Sequence, residues 1–425
     1  MTPIFVKYYK AKKLKTFQNL ANSVLNIIFI VFFSFAVLEY LFSVEIASTL
    51  FPGYINEENI LISQLFSIQA FISVISIIIG ILNAINYTFN SLYRTILIPI
   101  VASAFQILFV YFTYEELGIF SLVYALAINQ FIIFIGLSGS YIKFYKFSIK
   151  KGDVLTSSLK KMYPLMISST FSKSDILIDR YFASMLIAGS ISILNYGQLF
   201  ITTLTTLVNK GISLVSLRNF STIENDEEKF NNYFLGLYQI MLVVSMFFVL
   251  GVIISSDFIF EFFLLGDNFS QDKLNMLYLV TVSFIGVFIG GILSSVLVNA
   301  FYAKGLTSTV SKMSIILHAV GIIVKIISFK IYGVYALPIV MSIKSIIGSG
   351  FLIFLYNRNI YKIKYYCFLS FFIKVMMVGS ILLLGSLWFK SQGVNVVLIV
   401  VESSLIYIVF FYRFLKNKFK AMRIS

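Results

Sequence analysis

Five ionisable residues in an otherwise apolar region set the chemistry open to this chain. Between Tyr163 and Arg218 there are two stretches long and apolar enough to cross a membrane; the first carries Lys173, Asp175, Asp179 and Arg180, and the second carries Lys210. An ionisable group in hydrocarbon costs about 2.5–3.5 kcal/mol on insertion scales, so these side chains should face protein or a water-filled space. With a helical turn of about 100° per residue, Lys173 and Arg180 fall within roughly 20° of each other, and Asp175 and Asp179 share a roughly opposite face. An ammonium and a guanidinium side by side suit an anionic group, a diphosphate above all, through charge-assisted hydrogen bonds. The same four residues would equally make a self-neutralising structural cluster. Lys344 and Lys374 also lie within apolar stretches and join the candidate anion contacts, whereas Lys325 is near enough to the end of its stretch to reach the headgroups and ranks below them. Asp175, Asp179 and Glu402 are expected as counter-ions or as sites of a coupled cation, and His318 as a hydrogen-bonded packing residue.

The elements that must position these residues are membrane helices. The chain has 425 residues, 59% of them hydrophobic and only 12% charged, with a mean hydropathy of +0.93, far from the roughly 25% charged composition of soluble domains. The net charge of +15 would suggest nucleic acid in a soluble protein, but here the basic residues sit between apolar stretches and no nucleic-acid partner is expected. A single cysteine, Cys367, excludes an internal disulfide, and a single histidine leaves no His/Cys cluster for a metal. Neither cofactor nor metal is expected.

Spans are predicted at about 20–43, 60–83, 94–113, 119–141, 162–187, 191–216, 233–256, 275–300, 307–330, 333–356, 366–389 and 394–415, about twelve in all. With every span in place, Lys7 to Lys15, Arg94, Lys143 to Lys161, Arg218, Lys304, Arg358 to Lys364 and Arg413 to Arg423 fall on one side. Glu45, Glu57, Glu58, Glu115, Glu116, Asp257, Glu261, Asp267 and Asp272 fall on the other. The positive-inside rule then puts both termini in the cytoplasm. The acidic run Thr222 to Asn232 reads as a solvated cytoplasmic connection. Pro99 and Pro338 fall inside spans, at nearly matching places in the repeat described next, and are expected to kink moving helices. Gly286 and Gly290 have the GxxxG spacing that permits close helix approach.

Sliding the halves past each other by 213 residues aligns FQNLANSVLNIIF from Phe17 with FNNYFLGLYQIML from Phe230, and Gly53 with Gly266. LNAINY (Leu82 to Tyr87) falls beside VNAFYA (Val298 to Ala303). These landmarks, in order, indicate a duplicated unit in which helices one to four correspond to seven to ten. An even number of spans separates the copies, so the repeats are parallel. The predicted fold is an all-α polytopic membrane protein, with two parallel-repeat lobes around a central cavity and two additional C-terminal helices. The expected domains are an N-terminal lobe at 1–141, a basic cytoplasmic linker at 142–161, a six-helix lobe at 162–356, and the two further helices with a basic tail at 357–425.

The motif order FVKYYK, LFPGY, GILNAINYTF, IDRYFASMLIAGSISILNYGQLF, VNAFYAKG and IYGVYALPIVMSI resembles the MurJ (MviN) branch of lipid-linked oligosaccharide flippases, within the superfamily of multidrug and polysaccharide exporters. The resemblance covers essentially the whole chain. It implies a multi-pass protein of the bacterial inner membrane that alternates between inward-open and outward-open states. Its cationic central cavity would bind the diphosphate and sugars of an undecaprenyl-linked precursor, and helices at about 366–389 and 394–415 would form a groove for the lipid tail. Membrane lipids, and enzymes of cell-envelope polysaccharide assembly, are the further partners it suggests.

Two departures from the family pattern bear on that reading. Where members acting on the peptidoglycan precursor usually carry an Arg in a Tyr-Ala-Asp-Arg-Leu-like motif, this chain reads Tyr196, Gly197, Gln198, Leu199, Phe200, with Leu199 at the Arg position, which puts lipid II in doubt as cargo. The family also begins with two helices before the segment matching FVKYYK, and the repeat offset likewise asks for upstream partners of the spans at 162–216. The expectation is therefore the family architecture without its first pair of helices. The alternatives are an O-antigen or exopolysaccharide exporter, a non-transporting homologue and, as a different class, a membrane enzyme of polysaccharide assembly. The enzyme is disfavoured because the external loops lack an acid/base constellation.

Overall fold

The computed structural model describes residues 5, 8–9, 11–89, 91–149, 153–186, 189–265, 269–362 and 365–421. The described residues form fourteen α-helices and no β-strand. They are α1 (Leu14–Leu41), α2 (Ser43–Leu50), α3 (Asn56–Thr88), α4 (Leu92–Leu117), α5 (Phe120–Ser138), α6 (Asp153–Ser184) and α7 (Ser190–Thr222). Then come α8 (Glu227–Leu264), α9 (Gln271–Ser283), α10 (Ile285–Ala303), α11 (Thr307–Tyr332), α12 (Ala336–Asn359), α13 (Tyr365–Ser391) and α14 (Val396–Ala421). Ten stretches among the described residues are long and apolar enough to cross a membrane, and one of them, Thr307–Asn359, contains both α11 and α12. The α6 helix is outside that set because its charged and polar residues lower its hydropathy, although it is 32 residues long. Each expected span finds a helix, and the one at 275–300 finds two, because the helix breaks at Phe284 between α9 and α10. The chain is an all-α polytopic membrane protein.

Several boundaries differ from those read in the sequence. The α6 helix begins at Asp153, so part of the expected linker at 142–161 is already helical. The acidic run after Thr222 is not wholly a connection: Asp226 caps α8 by accepting from the Lys229 backbone N–H at 3.0 Å, and Glu227 and Glu228 form the first turn. Carboxylates at a helix N-terminus meet unpaired N–H groups and the positive end of the dipole. Those hydrogen bonds from Lys229 hold the Asp226 carboxyl below its ordinary range. Pro338 sits in the first turn of α12, where its missing N–H costs nothing, and only Pro99 lies inside its helix, α4. The two prolines also fall on helices that the repeat does not pair.

The chain forms two compact units, residues 1–166 and 167–425, and α6 runs across the division. In the first unit, Phe17, Leu20, Val24, Leu82, Ile85 and Leu137 are buried between α1, α3 and α5. Asparagines tie the connection after α5 to this core: Asn22 accepts from the Tyr141 hydroxyl at 2.9 Å, and Asn26 donates to the Ser148 carbonyl at 3.0 Å. Asn86 donates to the Leu137 carbonyl at 3.1 Å and accepts from Ser140 at 2.6 Å. Buried amides are costly unless so paired. A groove of about 380 Å³ opens between the same helices, lined by Leu25, Phe29, Ile78, Leu82 and Phe134.

In the second unit α8 is the central helix. Phe234, Met241 and Ile254 are fully buried, and α13 and α14 pack along it. The Tyr407 hydroxyl on α14 donates to the Val243 carbonyl at 2.9 Å, and Lys390 on α13 pairs with Asp257. Gly379 brings α13 so close to α8 that a Cβ there would lie 2.1 Å from Met246 Cε. The GxxxG pair works as its spacing suggests, since Cβ atoms at Gly286 and Gly290 would each lie 2.5 Å from Ser342 and Ser345 of α12. The 213-residue offset carries α1 onto α8, α3 onto α9 and α10, α4 onto α11, and α5 onto α12. Asn86 is carried onto Asn299, and both are buried and bonded, Asn299 to Ser216 at 2.9 Å.

Candidate functional site

Asp175 and Asp179 are one helical turn apart on α6 and point into the second unit, where they are 1% and 3% exposed. A buried carboxylate needs a partner, and both find one on α11. Lys325 is fully buried, donates to Asp175 Oδ1 at 2.7 Å and stands 2.6 Å from Asp179 Oδ1. Asp175 Oδ2 is reached by Lys344 of α12 and lies 2.9 Å from His318 Nδ1 of α11. Lys344 Nζ is also 3.1 Å from the same histidine nitrogen. Three helices thus meet in one buried network of two carboxylates, two ammonium groups and an imidazole. With the imidazole neutral, its formal charges cancel.

The backbone of α11 makes room for this network. His318, Gly321 and Lys325 follow each other on one face at helical spacing. A Cβ at Gly321 would lie 2.8 Å from Lys344 Cδ, so the glycine is a notch through which the lysine chain crosses α11 to reach Asp175. The Phe182 and Phe329 rings, with centroids 4.5 Å apart, join α6 to α11 one turn beyond Asp179 and Lys325.

Lys173 and Arg180 lie on the other face of α6, as the spacing requires, and both are exposed. Among the described residues neither forms an ion pair. The carboxylates of α6 are therefore partnered by Lys325 and Lys344 and not by the basic residues of their own helix. Lys325 does not reach for the headgroups as the sequence suggested. It turns inward because Asp175 and Asp179 offer a lower-energy partner than the membrane edge. His318 is the hydrogen-bonded residue its position suggested, with a carboxylate as its partner.

The remaining candidates lie elsewhere. Lys374 on α13 is exposed, with Nζ 5.6 Å from the centre of the Phe410 ring of α14, and Glu402 on α14 is exposed and forms no ion pair among the described residues. The Lys210 side chain lies outside the described residues. No three His, Cys, Asp or Glu side chains gather into a metal site among the described residues.

Comparison with known proteins agrees with this architecture. The family described as "Lipid II flippase MurJ" matches residues 1–410. A probable lipid II flippase MurJ of Buchnera aphidicola subsp. Baizongia pistaciae (strain Bp) is 23% identical over 412 residues, which is 90% of this chain and 76% of the relative. Its namesake from subsp. Schizaphis graminum (strain Sg) is 26% identical over 230 residues, 52% of this chain and 44% of the relative. Among solved structures, a lipid II flippase MurJ in an inward closed conformation superposes with a TM-score of 0.82 at 24% identity, covering 98% of this chain and 88% of that one. An inward-facing MATE family multidrug transporter of the MOP superfamily superposes at 0.73 and 13% identity, covering 84% of each chain. These likenesses establish the fold, and the family match over nearly the full length establishes that this chain belongs to the lipid II flippase MurJ family, whose members are transporters and not enzymes.

Proposed function

We propose that this protein moves an undecaprenyl-diphosphate-linked saccharide across the bacterial inner membrane by alternating access, with both termini in the cytoplasm. The relatives it matches are named for lipid II, which is the first cargo to test; Leu199, where an Arg is usual in such members, leaves room for another saccharide on the same lipid carrier. The observation that carries the reading is the charge distribution around α6. Because Lys325 and Lys344 neutralise Asp175 and Asp179, the exposed charges of Lys173 and Arg180 have no internal counter-ion among the described residues. Two uncompensated cations at bilayer depth would be costly against lipid and favourable against a diphosphate. Lys173 and Arg180 are accordingly the proposed primary contacts, joined by Lys210. Lys344 serves the internal network instead. The pair α13 and α14, which carries Lys374 and Glu402, is proposed to hold the lipid tail.

The test is reconstitution into liposomes with lipid II and, separately, with other undecaprenyl-diphosphate saccharides, scoring their movement across the bilayer. Lys173→Ala and Arg180→Ala should each cut the rate at least roughly tenfold, the minimum expected from losing a charge-assisted contact to the moving anion, while membrane insertion is unchanged. Normal rates in both variants would show that the basic face of α6 has no part in cargo binding.

A further inference from the structure

The α7 helix turns a hydroxyl-bearing face outward. Its buried side is Ile193, Leu194, Gly197, Ile201 and Val208, and of the seven exposed residues between Ser192 and Leu207 five carry a hydroxyl: Ser192, Tyr196, Thr202, Thr203 and Thr206. At about 100° per residue, Ser192, Tyr196, Thr203 and Thr206 fall within roughly 40° of the Lys210 position, so they form one stripe that ends on a cation. A face that meets hydrocarbon has another composition: the exposed side of α4 is mainly Ile96, Leu97, Ile100, Phe105 and Leu108. A threonine hydroxyl on a membrane helix ordinarily donates to the carbonyl one turn back, as Thr88, Thr113, Thr205 and Thr281 do at 2.7–2.9 Å. Among the described residues Thr203 and Thr206 make no such bond, and a hydroxyl left open in hydrocarbon is costly. This face is therefore built for a polar occupant.

We propose that this stripe is the saccharide contact of the cargo site, with Thr203 and Thr206 as the residues that read the sugars; the inference rests on the proposed function and deepens it. A sugar presents uncharged hydroxyls that both donate and accept, and a threonine hydroxyl does the same, so open hydroxyls match it where further lysines would not. Acyl chains offer those hydroxyls nothing to bond. Lys210 follows Thr206 by one turn in the helical register and is the anion contact, so the sugars run from it toward the start of α7. Tyr196 lies two turns before Thr203, and its ring, in a side chain 44% exposed, presents a flat apolar face to the C–H side of a pyranose. From Ser192 to Lys210 the stripe is about 27 Å long, which is room for more than one sugar ring.

Equilibrium binding to the full chain in lipid nanodiscs, measured by native mass spectrometry, separates sugar from anion when lipid II and other undecaprenyl-diphosphate saccharides are compared with bare undecaprenyl diphosphate. The wild-type chain should bind at least one saccharide-bearing carrier more tightly than the bare one. Thr203→Val combined with Thr206→Val keeps the shape and removes both hydroxyls; it should weaken that carrier roughly tenfold, as two neutral hydrogen bonds would, and leave the bare carrier unchanged. Thr203→Ser with Thr206→Ser should restore the preference, and Thr113→Val on α4 should alter neither affinity. Should the double valine variant not insert, the single ones decide, each at about threefold. Lys173→Ala should weaken both carriers alike, so a normal result there counts against the proposed anion contacts and not against the stripe. A wild type indifferent to the sugar, valine variants that bind the saccharide-bearing carrier normally, or valine variants that lose both carriers equally would each overturn the proposal.

Discussion

Lys325 shows how far a single side chain can depart from what its position suggests. An ammonium near the end of a membrane helix ordinarily extends its stem toward the headgroups, and nothing local to α11 argues otherwise. The reason it turns inward lies 150 residues away, in the two carboxylates of α6. The same pairing decides what the basic residues of α6 are free to do. A buried ion pair adds little stability against an apolar replacement of the whole group, but removing one partner leaves the other charge stranded. Lys325→Met should therefore destabilise the protein by about 3–5 kcal/mol, measured as a fall in Tm in detergent. Adding Asp179→Asn to that variant should recover part of the loss, because one stranded charge is then gone. If the double variant is as unstable as the single effects sum to, Lys325 and Asp179 are not coupled.

At the scale of elements, small residues govern where helices meet. The α10 helix lies against α12 at Gly286 and Gly290, and on its flank a Cβ at Gly291 would lie 3.3 Å from Thr205 Cγ2 of α7. One turn on, Ser295 donates to Asn209 of α7 at 2.8 Å. At the matching positions of the other copy stand Ile78 and Leu82, which line the open groove of the first unit. The duplicated helix thus carries small residues where α7 approaches and large ones where the groove is open. Gly290→Ala should cost about 1–3 kcal/mol, the range for overpacking, because its methyl group would meet the backbone carbonyl of Ser345, which cannot swing away, as well as the Ser345 hydroxyl. Gly385 has open space around it, so Gly385→Ala is the matched control and should leave Tm unchanged within error.

At the scale of the whole chain, the helices were legible because hydrophobic length and loop charge are local signals, and the repeat because it survives as a fixed offset. The GxxxG contact was legible too, since its spacing alone puts both glycines on one face. Partner choice was not: the 213-residue offset places α11, but nothing in it tells Lys325 from a residue reaching for the membrane surface. The break at Phe284 was equally hidden, because no proline marks it and the stretch LYLVTVSFIGVFIG across it reads as one continuous span. Sidedness is the remaining property that sequence predicts and that solution chemistry can decide. The outer ends of α3 and α4 carry Glu57, Glu58, Glu115 and Glu116, whereas the last turn of α12 carries Arg358 and the connection after it Lys362, and basic flanks stay in the cytoplasm. In a Cys367→Ser background, single cysteines at Glu58 and Glu116 should react with a membrane-impermeant maleimide applied to intact cells, and one at Lys362 should react only after the membrane is opened. Glu58 needs a companion probe, because its side chain accepts from the Ile55 backbone N–H at 3.1 Å and closes the first turn of α3; Glu57, beside it and free of that contact, serves. Labelling of position 362 from outside would invert the chain in the membrane, and with it the direction in which the basic face of α6 would carry its anion under the proposed function.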